Sequence, residues 1–226
     1  MNFPDGLFGN AWAFGAWLPL VAVWFWCART GPWRRLVDAG QLNVWLGSIV
    51  VLMLMWSMRA GVHPGLNLHV LGATAFTLMF GRQLAIVGMS VVLAAVMANG
   101  GGVESLAAWQ PYALNALVMA VFPCLATHLL LRATERFLPA NFFIYVFFPA
   151  FFGAALTVVA TGLVAILLLW AAGVYSLDML FGEYFPPFIL LGFAEAWLNG
   201  AVVTLAVVYY PHWVGSFDDR RYLKDK

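Results

Sequence analysis

The sequence predicts an all-α fold, a polytopic membrane bundle of about seven transmembrane helices. Three observations predict it. Hydrophobic residues make up 64% of the 226 positions and charged residues 9%, against roughly 25% charge in soluble domains. The apolar residues come in long stretches, most of about 18 or more, without the period-2 alternation of a membrane barrel. Lys and Arg collect on alternate connections, as they do in helices threaded back and forth across a bilayer. Multi-pass insertion in a membrane, in contact with membrane lipid, follows from this pattern. No phosphate-cradling loop, nucleophile elbow or basic nucleic-acid patch stands in the chain, so neither an enzyme nor a nucleic-acid partner is expected.

The elements follow in order. A first run near 11–28 comes after "MNFPDGLFGN", which has no Lys or Arg, and ends in "RTGPWRR" rather than a small-residue cleavage site. It therefore reads as a retained helix rather than a removable signal peptide. Asn2 is too bulky for the usual trimming of the initiator, so a free Met1 amine is expected. The second run, 41–58, carries "MLMWSM", whose Met53 and Met55 fall on different helix faces and read as packing residues. The third, 66–80, is short and is expected to be partly sunk in protein. Before it, "GVHPGLNLHVLG" at 61–72 breaks the helix with Gly61, Pro64 and Gly65 where His63 and His69 sit six residues apart. Irregular backbone at membrane depth is tolerated where it is buried in protein or lines a cavity, as a binding segment does.

A fourth run, 82–98, leads into the flexible hairpin "ANGGGVES" at 98–105. The fifth, 109–132, holds Pro111, Pro123 and Asn115; the sixth, 142–172, is long enough to tilt and holds Pro149 and Gly153. Kinks are expected at these prolines. The seventh, 184–210, carries Glu195 and Asn199. An acidic group on a membrane helix costs about 2.5–3.5 kcal/mol unless paired or wetted, so Glu195 must face the bundle interior, as a helix-pinning acid or in support of a binding site. Asn115 and Asn199 read as interhelical hydrogen-bonders. Cys27 and Cys124 read as buried apolar residues. With no linker or repeat visible, residues 1–226 form one integral membrane domain: an N-terminal segment 1–10, helices over 11–210 and a tail 211–226.

Charge sets the orientation. Arg29, Arg34, Arg35, Arg82, Arg132, Arg136, Arg220, Arg221, Lys224 and Lys226 fall on one side and Arg59 alone on the other. With an odd number of spans this puts the N-terminus outside and the C-terminus in the cytoplasm. The outer side then gathers Asp5, Glu104, Asp178 and Glu183, an acidic mouth that concentrates cations.

Met1, Asn2, His63 and His69 all fall toward that outer side. An amine and imidazoles are nitrogen donors suited to nickel, cobalt, copper and zinc, and a flat all-nitrogen site favours Ni(II) or Cu(II). The bland alternatives remain open: His63, held extended by Pro64, as an interfacial loop residue, and His69 as a packed polar residue. A third reading gives His128 and His212, beside Arg132 and Trp213, to a haem or quinone.

The stretches "MNFPDGLF", "NLHVLGATAFTLMFG", "ALNALVMAVFP" and "GFAEAWLNGAVVTLAVVYY" resemble, in order, the blocks of the CbiM/NikM family, the cobalt- and nickel-binding S components of energy-coupling-factor (ECF) importers. The resemblance implies a bundle that takes in its own N-terminus and binds a divalent metal as substrate through the Met1 amine, groups of residue 2 and a histidine matching His69. It also implies partners, a transmembrane T component and ATPase subunits. The family's second residue is typically histidine, and here it is Asn2. His63 is the candidate to replace that imidazole, with Asn115 and Glu195 as supporting polar groups. Nickel or cobalt heads the expected substrates, with copper and zinc as further members of the set. The alternative function is a noncatalytic accessory or assembly subunit that keeps the fold without the metal.

Overall fold

The computed structural model describes residues 3–63, 66–101 and 110–223. Met1, Asn2, Pro64, Gly65, Glu104, Lys224 and Lys226 lie outside the described residues. The described chain is a helical bundle: α1 (Asn10–Thr30), α2 (Ala39–Ser57), α4 (Arg82–Gly101), α5 (Tyr112–Phe137), α6 (Phe142–Ala171) and α7 (Pro186–Tyr209), with a short α8 (Asp219–Tyr222) after them. Between α2 and α4 stand two strands, β1 (Ala60–His63) and β2 (Leu66–Leu68), and the eight-residue helix α3 (Ala73–Phe80).

Among the described residues six helices are long and apolar enough to cross a membrane. The third predicted run differs. Its helix α3 would rise only about 12 Å, far short of the roughly 30 Å hydrocarbon core. Before it stand the strand Leu66–Leu68 and an irregular stretch that turns at Gly72, and together they carry the chain back from the far end of α2 to Arg35, which bonds Met79 near the end of α3. All eight residues of α3 are buried, against α4, α5, α6 and α7.

This arrangement gives the bundle two distinct ends. At one, Thr30 meets Gln83, Arg35 meets Met79, Tyr145 meets Ser216 and Arg221 pairs with Glu135 at 2.8 Å. We call it the arginine end. At the other, Asn10 meets Gln110 and the turn before α7 packs against β1; this is the hairpin end. The apolar side chains left outside, including Leu18, Phe25, Leu54, Leu190 and Phe193, are lipid-facing in a membrane, where such exposure costs nothing.

The expected kinks near Pro123 and Pro149 appear as wide helical turns, and a further wide turn precedes α7. Pro111, expected to kink its helix, instead sits at the N-cap of α5, where its missing N–H costs nothing. Leu117–Val121 precedes Pro123, Val146–Phe152 contains Pro149, and Leu180–Tyr184 precedes Pro186 and Pro187. Proline lacks the N–H its i−4 carbonyl needs and its ring crowds that carbonyl, so the helix widens there instead of breaking. In the interior a row of threonine hydroxyls joins three helices: Thr74 to Thr127 at 3.1 Å and Thr127 to Thr157 at 3.4 Å.

Candidate functional site

The site is built around a helix that starts inside the protein. A buried helix end leaves N–H groups without partners, which is costly where no water can reach. Here α7 supplies the acceptors. The Glu195 carboxylate accepts from the backbone N–H of Leu71 and, at 3.2 Å, from that of Gly72, while the Asn199 carbonyl oxygen accepts from Ala75 N–H at 2.8 Å. Asn199 also donates to Glu195 Oε2 at 2.6 Å, locking the pair. Glu195 is 2% exposed; the interior position expected for it holds, and its partner is the start of α3 rather than another side chain's charge. A carboxylate there also meets the positive end of the helix dipole.

The far end of α3 is closed in the same way. Gly215 N–H donates to the Met79 carbonyl, Ser216 N–H and hydroxyl donate to that of Leu78, and the Arg35 guanidinium reaches Met79 O at 2.6 Å. The short helix is thus satisfied at both ends by residues distant in sequence, with a cation at its negative end.

His69 lies just before this capped start, between β2 and Gly72, and is 4% exposed. Its ring packs against Trp56 of α2 at 4.8 Å between centroids. Trp56 donates its indole N–H to the Leu71 carbonyl at 3.0 Å. Segment 69–72 is therefore gripped from two sides, by α2 and by α7. The Nδ1 atom of His69 lies 3.1 Å from the Val70 carbonyl. A carbonyl only accepts, so Nδ1 carries the proton and Nε2 keeps a free lone pair. An imidazole in this tautomer, with Nε2 bare, is the form that ligates metal.

A second clamp holds the beginning of the chain. Asn115 of α5, fully buried, accepts from Phe3 N–H at 2.8 Å and donates to Phe3 O at 3.0 Å. Its carboxamide thereby imitates one rung of a strand ladder. Phe3 is 1% exposed and meets the Phe8 ring edge-on at 5.0 Å. The N-terminal segment is tucked into the bundle, and Asn115, read as an interhelical hydrogen-bonder, binds that segment instead.

Of the candidate ligands, His69 is described with its side chain, and His63 is placed by its backbone, paired with Leu66 beside the hairpin's turn. In a ladder rising about 3.4 Å per residue, His69 stands some 10 Å further along than Leu66. Met1 and Asn2 lie outside the described residues. Among the described residues no three His, Cys, Asp or Glu side chains converge. His212 belongs to the arginine end, where its carbonyl accepts from Arg35 and Gln41, and Cys27 and Cys124 are buried and free.

Trp56 was missed by sequence reasoning, although a signal existed. Trp45, Ile49, Leu52 and Trp56 recur at four, three and four residues, the stripe that α2 buries. Gly72 was missed as well, because nothing local announces its left-handed φ of 66°.

The profile of the CbiM family, described as the cobalt uptake substrate-specific transmembrane region, matches residues 2–213. The chain belongs to the CbiM family. A search of curated proteins finds no match to this CbiM chain. A solved structure described as a truncated transition metal transporter superposes with a TM-score of 0.77 at 16% identity, covering 92% of this chain and 99% of that one. At that identity the likeness is one of fold. The four stretches that carry the family resemblance meet through the two clamps: Phe3 with Asn115, and segment 71–75 with Glu195 and Asn199.

Proposed function

We propose that this protein is the substrate-capturing S component of a transition-metal importer, taking a divalent ion at the hairpin end through His69, the Met1 amine, groups of Asn2 and His63. The observation that carries the reading is the burial of Phe3 in the grip of Asn115. Two residues span at most about 7 Å, so the chain's first amine stays within that reach of a buried anchor. His69 adds a neutral imidazole with a free Nε2 on a rigidly held segment. Nickel and cobalt are the first candidates as substrate, since nitrogen donors suit both.

The arginine end faces the cytoplasm and the hairpin end the outside of a bacterial inner membrane, following the distribution of Lys and Arg. A T component and ATPase subunits supply the energy. Ala11, Gly15 and Ala22 lie exposed on α1, where a partner helix can approach closely.

Titration of the purified protein with Ni(II), Co(II), Cu(II) and Zn(II) tests the site. His69→Ala is expected to weaken binding about 100-fold or more, above the 10–100-fold typical of groups that only support a ligand. His63→Ala weakens it if that imidazole replaces the one lost at position 2. Unchanged affinity in both variants removes the metal site and leaves the second reading, an accessory subunit without metal, which Asn2 favours.

A further inference from the structure

A groove of about 810 Å³ opens sideways between α2 and α7, walled by Gly47 and Val51 on one side and Val202 and Leu205 on the other. Its floor is α3, at Ala75 and Phe76. The lining runs from Asn43 to Met55 on α2 and from Leu198 on α7 to Tyr210 just past its end. Twelve residue steps are about 18 Å of helix, little more than one leaflet of a roughly 30 Å hydrocarbon core. A partner's transmembrane helix would need a groove of full membrane depth. The α7 wall ends at Leu198, half-way along that helix, while α2 alone continues to Met55, a taper that suits a single acyl chain entering from the arginine end.

The open end carries the matching headgroup chemistry. Tyr210 and Trp213 stack there at 4.3 Å, the aromatic pair that marks headgroup level. Beside them Arg35 spends its donors on neutral oxygens, those of Gln41, Met79, His212 and Trp213. Among the described residues no carboxylate pairs with it, and the neighbouring Asp38 is engaged in capping α2. Arg34 lies exposed next to it. Among the described residues Arg35 forms no ion pair, and it stands beside Trp213 at the mouth of an apolar slot.

We propose that the α2–α7 groove holds a phospholipid with an anionic headgroup, one acyl chain lying on α3 and the phosphate at Arg34 and Arg35. The bound chain covers the open flank of the helix that follows His69 and holds α2 and α7 at a fixed spacing.

The test is native mass spectrometry of the full chain in mild detergent, offered palmitoyl-oleoyl phosphatidylglycerol or phosphatidylcholine. One phosphatidylglycerol is expected to stay bound, at about fivefold preference per arginine over phosphatidylcholine. Gly47→Phe, whose side chain enters open space in the groove, is expected to lower retention about tenfold without disturbing packing. Arg34→Gln lowers retention of phosphatidylglycerol alone, and Leu190→Phe, on the lipid-facing first half of α7, changes nothing. Equal retention by Gly47→Phe and the parent chain, equal retention of the two lipids, or a second polypeptide bound in place of lipid each overturns the proposal.

Discussion

Glu195 decides whether a helix can start inside this bundle. Both of its oxygens accept, from Leu71, Gly72 and Asn199, so replacing one oxygen with an amide sets donor against donor. Glu195→Gln is expected to cost about 1–3 kcal/mol, the range for a buried polar group left unpaired, read as a lowered unfolding midpoint in detergent. The double variant Glu195→Gln, Asn199→Asp restores an acceptor at 199 and keeps an anion at the start of α3, so part of the loss should return. Gly72 is as constrained. Its φ of 66° disfavours any side chain, by about 1–2 kcal/mol, and an added Cβ would stand 2.6 Å from Leu52 Cδ2. Gly72→Ala should destabilise by more than that backbone cost. Adding Leu52→Ala removes the clash but not the φ cost, so calorimetry of the three variants should show non-additive losses.

At the scale of the element, α3 and the N-terminal segment are both short pieces of chain that other helices must hold. Asn115→Ala takes both partners from Phe3 and is expected to free residues 3–8, giving fast hydrogen exchange at the Phe3 amide and weaker metal binding. Asn115→Asp keeps the acceptor for Phe3 N–H and loses the donor to Phe3 O, so it should fall between. The long helices were legible in the sequence because composition and length alone decide a membrane span, and the kinks were legible because proline acts locally. The clamps were not. Asn115 and Phe3 are 112 positions apart and Glu195 and Leu71 are 124 apart; burial cost announced that each polar residue needs a partner without naming it. The start of α3 at Ala73 was hidden for a different reason: an apolar run from 66 to 80 looks the same whether its first half is extended or helical. His69 was legible through the resemblance, and its setting against Trp56 was not, since that contact joins two elements across a turn.

At the scale of the whole molecule, the return of residues 66–80 through the bundle decides at which end each end of the described chain lies. Six helices alone would return the chain to the side where it began. The structure runs α2 from the arginine end to the hairpin end and brings residues 66–80 back, so that Met79 meets Arg35 while α4 starts anew at Arg82. Residues 66–72, a strand as far as Leu68 and turned at Gly72, span at most about 23 Å and with about 12 Å of helix can meet the roughly 30 Å that a pass requires. A half-extended pass is stable in lipid only because it is enclosed by helices and capped at both ends. The consequence is that the N-terminal segment and α8 stand at opposite ends of the bundle. Single cysteines at Asp5 and Asp219, in a background with Cys27 and Cys124 replaced by Ala, should therefore label oppositely with an impermeant maleimide: Asp5→Cys in intact cells and Asp219→Cys after permeabilisation alone. Labelling of both positions from one side would mean that residues 66–80 do not cross. Labelling in the reverse sense would keep the seven passes and overturn the orientation drawn from Lys and Arg, placing the hairpin end, and with it His69, toward the cytoplasm.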